Sequence, residues 1–293
     1  MQRIEASSDP ALDPFRDMPD RRRRADGGRF VVESPRCVSR FLDAVASGRF
    51  TIDSMVADPS HAELLETAAA LGATVFSADD AIITEASGYH FHAGCLALGI
   101  RPPHPEDPGE FASRIVGVPA PRIVLLALAG VTSMDNIGGV FRSVAALGAH
   151  GLVLDHACAD PLLRRCIRIS MGQVFRVAWA VSPSLPEGLG ELRQRHGFKI
   201  IGMENLPEAS PLSTLAGDGK AVLEADLIPE RVVVVVGNEG HGLDAEVLEA
   251  CDSIRRIEGP PSLPDGEGPG EADERSLNAS TAASIAMHHV LHA

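Results

Sequence analysis

Arg231-Val232-Val233-Val234-Val235-Val236-Gly237-Asn238-Glu239-Gly240-His241-Gly242-Leu243 is the stretch on which the fold turns. A run of valines cannot alternate apolar with polar, so the strand it predicts is buried on both faces. Such strands belong to parallel sheets covered by helices. The glycines at 237, 240 and 242 permit a tight turn and leave backbone amides open to a ligand. In open sheets of this kind the ligand lies beyond the carboxyl ends of the strands, where this loop sits. The loop alone is not specific. Its spacing is not GxGxxG, and no GxxxxGK[ST] occurs, which argues against dinucleotide and nucleoside-triphosphate sites.

Working outward, similar unbroken apolar runs occur at 123–129, 151–154, 174–181 and 199–203, with helical patterns at 140–147, 161–171, 185–196 and 245–250 between them. Residues 122–293 therefore predict a mostly parallel α/β domain. Residues 28–103 predict a smaller α/β domain: short strands near 30–33, 52–57, 73–77 and 95–99 alternate with helices at 35–47, 61–71 and 79–86. Pro105, Pro108, Pro119 and Pro121 mark 104–121 as a linker. Residues 1–27, rich in Asp, Arg and Pro and carrying Arg21 to Arg24, predict a disordered leader.

A length of 293 residues suits two domains, and 45 % hydrophobic residues supply real cores. No apolar run approaches the roughly 18 residues of a membrane span, and no apolar segment follows the N-terminal arginines as in a signal peptide. The cysteines 37, 95, 158, 166 and 251 form no CxxC pair, which predicts small buried hydrophobes in a reducing cytoplasm. His288, His289 and His292 lack an accompanying Cys or carboxylate cluster, so no metal is expected. The net charge of −14 and an aromatic content of 4 % argue against nucleic acid, which needs cations and stacking platforms. Arg164, Arg165, Arg168 and Arg176 offer a local basic exception.

Two further segments carry chemistry. Asn136-Ile137-Gly138-Gly139-Val140-Phe141-Arg142 follows the strand at 123–129; taken alone, Asn136 reads as a helix cap and Arg142 as a surface charge. Ser276-Leu277-Asn278-Ala279-Ser280-Thr281-Ala282-Ala283 precedes the C-terminus; Ser276 or Asn278 caps a helix with a small face of Ala279, Ala282, Ala283 and Ala286. The ordered set N-x-G-x-x-x-R, G-N-E-G-x-G-L and S-L-N-x-S-x-A-A resembles the three motifs of the SpoU/TrmH family of RNA 2'-O-methyltransferases, over residues 122–293. The segment 30–103 more loosely resembles the ribosomal-protein-like RNA-binding domain that often precedes that catalytic domain.

The resemblance implies a trefoil-knotted α/β domain, an exception to the rule against knots, formed from about residue 232 to 293. It implies S-adenosylmethionine held by Gly237, Asn238, Gly240, Gly242, Leu243, Ile257, Leu277 and Asn278. It implies a catalytic set of Arg142, Asn136, Glu239, Ser276 and Asn278, a structured RNA substrate (ribosomal in preference to transfer RNA) and a homodimer whose sites borrow residues from both subunits. Two departures stand out. Where relatives have an Ile-Pro-Met-like strand end, this chain has Ile257-Glu258-Gly259-Pro260-Pro261, then a stretch carrying Asp265, Glu267, Glu271, Asp273 and Glu274. That stretch is expected to be a disordered surface loop, with a lid as the alternative. Ala93 stands where relatives commonly have glutamine. An inactive knotted RNA-binding or ribosome-assembly protein is the competing function, and methylation of a non-RNA alcohol a remoter one.

Overall fold

Strands that are apolar on both faces can be satisfied only inside a covered sheet, and the computed structural model, which describes residues 2–16, 28–88, 94–102, 107–216, 227–258 and 277–293, contains one. The chain forms two compact units, Met1–His104 with Asp160–Arg176, and Pro105–Ala159 with Val177–Ala293.

The first unit contains β1 (Gln2–Arg3), β2 (Arg29–Glu33), α1 (Pro35–Ala46), β3 (Thr51–Ala57), α2 (Ala62–Ala70), β4 (Thr74–Ser77), α3 (Asp80–Ser87) and β5 (Cys95–Ile100). Its sheet runs β1-β4-β3-β5-β2. Helix α1 starts where Ser34 caps and Pro35 occupies the first turn, and it buries Val38, Phe41 and Leu42. Residues 2–16, expected within a disordered leader, are packed instead. β1 pairs with β4, a 3-10 turn spans Pro10–Phe15, and Ile4, Leu12 and Phe15 join a cluster with Phe76 and Ile83. Three well-spaced apolar side chains anchor a segment whose composition otherwise suggests disorder. Arg21 to Arg24 lie outside the described residues, as does Ala93.

The second unit opens with α4 (Pro108–Ile115), β6 (Ile123–Leu128), α5 (Met134–Leu147) and β7 (Gly151–Asp155). Next in the chain comes helix α6 (Arg164–Ile169), whose segment belongs to the first unit. The second unit resumes with β8 (Trp179–Ser182), α7 (Leu185–His196), β9 (Lys199–Met203), β10 (Ser210–Pro211), β11 (Arg231–Val236), α8 (Ala245–Glu249), β12 (Ser253–Arg256) and α9 (Ala279–His292). Its seven strands are ordered β10-β12-β9-β11-β6-β7-β8, and every pairing is parallel. The valine strand β11 sits between β9 and β6, where both its faces are covered. Phe111 and Ile115 of α4, Leu185, Leu189 and Leu192 of α7 and Val247 of α8 pack on Val233 and Val235; α9 packs against β11, β6 and α5.

Three expectations need correction. The stretch read as a linker contains α4, because Pro108 occupies the first turn behind the Asp107 cap, where its missing N–H costs nothing, and Phe111 and Ile115 enter the core. Residues 103–106 lie outside the described set. The segment 160–176, assigned by its order to the C-terminal domain, packs in the first unit. Buried Glu33 faces Arg164 and Arg168 at 3.5 Å each, and Phe175 stacks on Phe30 at 5.9 Å. Finally, the strand expected over 174–181 is a 3-10 turn at Gln173–Phe175 followed by β8.

Candidate active site

The loop after β11 is held by its own backbone. A Cβ at Gly237 would collide with the backbone of Gly242, so only glycine lets the chain fold back here. Gly242, at φ +69°, donates its N–H to Asn238 O at 2.8 Å. The Asn238 side chain fixes both sides of the turn: Oδ1 accepts Gly240 N at 2.8 Å and Nδ2 donates to Gly130 O at 3.0 Å, in the loop after β6. Leu243 N donates to Glu204 Oε2 at 2.8 Å.

The first and third motifs meet through helix packing. Ser133 caps α5, its Oγ accepting Asn136 N at 3.4 Å. Asn136 therefore lies inside the first turn, not at the cap, and is 4 % exposed. Asn278 caps α9, its Oδ1 accepting Ser280 N at 3.0 Å, while its Nδ2 donates to Asn136 Oδ1 at 2.7 Å. Farther along, Ser284 Oγ donates to Ser143 Oγ at 2.7 Å, so numbers rise together and the two helices run parallel. A Cβ at Gly139 would lie 3.2 Å from Ser280 Cβ, which shows how closely the helices approach. The second motif joins where Ala279 N donates to Glu239 Oε1 at 3.3 Å. Asn136, Asn278 and Glu239 are thus linked within a few bonds, although they are far apart in sequence.

Beside this junction lies a cavity of about 300 Å³ at the carboxyl ends of β9 and β11. Met203, Val236, Ile257 and Leu277 give it an apolar side; Glu204, Asn205, Asn238 and Glu239 give it a polar one. Among the expected cofactor residues, Gly237, Asn238, Gly240, Gly242, Ile257 and Leu277 line it. Leu243 does not, because its side chain is buried in the core beneath the sheet. Asn278 stands at the margin as the cap. Among the described members of the expected catalytic set, only Glu239 lines the cavity. Arg142 is exposed on α5, with no hydrogen bond or ion pair among the described residues, and it is not among the residues that line the cavity. Ser276 and the acidic stretch 259–274 lie outside the described residues.

Sequence reading missed Met203, Glu204 and Asn205, although their place directly after the apolar strand at 199–203 was the available signal. It also treated Ala279 and Ala282 only as packing residues; both line the cavity. The expected basic face is partly internal, since Arg164 and Arg168 oppose Glu33. Cys158 donates to Leu128 O at 3.3 Å, and burial pushes its thiol up to about 12, which suppresses the reactive thiolate. Among the described residues no group of three or more His, Cys, Asp or Glu is arranged to hold a metal ion, and no helix is long and apolar enough to cross a membrane.

An uncharacterized tRNA/rRNA methyltransferase of Mycobacterium bovis is 32 % identical over 285 residues, covering 96 % of this chain and 88 % of that protein. An AdoMet-bound rRNA methyltransferase from Sinorhizobium meliloti shares the fold with a TM-score of 0.74 at 20 % identity, covering 99 % of this chain and 97 % of that one. A protein described as an RNA 2'-O ribose methyltransferase shares it at 0.68 and 23 % identity, covering 99 % and 98 %. The SpoU rRNA methylase family model matches residues 123–288, a span that includes α5, the loop after β11 and most of α9, and the chain belongs to that family.

Proposed function

We propose that this protein transfers the methyl group of S-adenosylmethionine to a ribose 2'-hydroxyl of a structured RNA, ribosomal RNA in preference to transfer RNA. The observation that carries the reading is the junction of Asn136, Asn278 and Glu239 at the edge of a cavity walled by the glycine loop. That cavity suits the cofactor chemically. Met203, Val236, Ile257 and Leu277 would offer an apolar wall to a flat base, and the carboxylates and carboxamides would serve the polar ribose and amino-acid portions. S-adenosylmethionine supplies an electrophilic methyl group on a sulfonium sulfur.

The protein's own residues position and polarise. Asn278 spends its amide on Asn136 and on the α9 cap, so the loop ends approach the cavity in one fixed geometry. An arginine stays protonated, so the task of Arg142 is to hold RNA phosphate and oppose negative charge growing on the attacking oxygen. Arg142 is exposed and does not line its own chain's cavity, and we assign it to the cavity of a second copy in a homodimer. The knotted threading of α9 belongs to the same proposal. The preference for ribosomal RNA rests on the additional N-terminal unit.

The test is methyl transfer from labelled S-adenosylmethionine to undermodified total RNA, followed by nucleoside mass spectrometry of separated ribosomal and transfer fractions. A 2'-O-methylated nucleoside from ribosomal RNA is expected. A base-methylated product overturns the ribose assignment. No transfer together with no cofactor binding favours the inactive RNA-binding alternative.

A further inference from the structure

Glu204 follows β9 directly and is a charged cavity residue that none of the three motifs contains. Its carboxylate is fixed by two backbone donors, Leu243 N to Oε2 at 2.8 Å and Asn205 N to Oε1 at 3.1 Å. A Cβ on Gly242 would collide with it, so the carboxylate lies directly against the glycine loop. Each oxygen keeps a second lone pair, and the side chain is only partly buried. Glu239 adds a second carboxylate to the lining, His241 is the remaining titratable group, and no lysine or arginine is among the described lining residues. The described lining therefore carries carboxylates without a lysine or arginine, and Glu204 is held by backbone donors before any ligand arrives.

We propose that Glu204 is a charge-selecting residue, biasing the cavity toward the sulfonium-bearing methyl donor and against its demethylated product. The inference rests on the S-adenosylmethionine reading above. Donor and product differ by a methyl group and one positive charge: S-adenosylmethionine carries a sulfonium, S-adenosylhomocysteine a neutral thioether. A fixed carboxylate in a partly water-excluded cavity attracts the first more than the second, and the difference appears once the methyl has left. Glu204 thus strengthens binding of the donor without strengthening that of the product, which favours replacement of spent product by fresh donor, while its hydrogen bond to Leu243 keeps the loop in shape for either ligand.

The experiment is calorimetric binding of S-adenosylmethionine, S-adenosylhomocysteine and sinefungin, which carries a cationic amine in place of the sulfonium, to the full-length protein. Glu204→Gln keeps an oxygen acceptor for Leu243 N and removes the charge. It is expected to weaken the two cationic ligands on the order of fivefold and leave S-adenosylhomocysteine unchanged. Asn205→Asp adds a charge on the neighbouring lining residue and is expected to shift the ratio the opposite way, which keeps the test decisive should Glu204→Gln fail to fold. Equal weakening of all three ligands by Glu204→Gln, or an unchanged ratio in Asn205→Asp, overturns the proposal. Wild-type protein that binds none of the three overturns the cofactor reading itself, a separate and distinguishable failure.

Discussion

One carboxamide performs two tasks at Asn278. Its oxygen satisfies amides of the first turn of α9, and its nitrogen reaches buried Asn136, so the helix start and the first motif are fixed together. Replacing it by alanine removes a cap and leaves Asn136 Oδ1 without that donor. Asn278→Ala should cost about 1–3 kcal/mol in urea unfolding, with Asn278→Ser recovering the capping part alone. Arg142 makes the opposite case: exposed on α5, it supports nothing in the described fold. Arg142→Ala should therefore abolish methyl transfer while leaving the melting temperature and S-adenosylmethionine affinity near wild type. Retained turnover would remove Arg142 from the mechanism. The motif pattern singled out both residues, but it could not show that Asn136 is interior to the helix and that Arg142 is exposed outside the cavity lining.

Among the elements, the parallel pair α5 and α9 builds the site. Gly139 faces Ser280, and Ser143 faces Ser284, so small residues on both helices set the spacing that carries Ala279 and Ala282 to the cavity wall. Gly139→Val should force the helices apart, cost about 1–3 kcal/mol and weaken cofactor binding, whereas the same change at exposed Ala145 should do neither. Binding as tight as wild type in Gly139→Val would show that the spacing is not critical. Element bounds were most legible where burial is complete: β9, β11 and α7 run as their sequence patterns predict. β12 escaped notice because Ser253-Ile254-Arg255-Arg256 lacks an apolar run, and Arg255, only 3 % exposed, is accommodated through Thr214 at 2.8 Å. α4 escaped because prolines suggest a linker until a capped first turn is recognised.

For the molecule as a whole, charge and protonation set the conditions of stability and binding. Burial holds His150 below its ordinary value of 6.5, and its Nδ1 accepts Val124 N at 3.2 Å at the start of β6. The unfolded chain then binds this proton at higher pH than the native one. The contribution is full above about 6.5 and is lost as pH falls through that value toward the lower native one. His150→Gln should accordingly lose less stability than wild type between pH 7 and 5 in paired urea titrations; identical losses would assign the effect elsewhere. Residue pattern alone dictates the parallel sheet, through valines that tolerate no exposed face, and marks out three motifs, through residue types that serve caps, tight turns and close helix contacts. Only the tertiary structure decided which of those residues meet. Whether Asn136 faces Asn278, whether Leu243 turns to the core, and whether Glu204 closes the cavity depend on contacts between segments distant in the chain, which local pattern does not encode. The same holds for residues 2–16 and 160–176, whose places in the first unit are set by partners such as Phe76, Glu33 and Phe30.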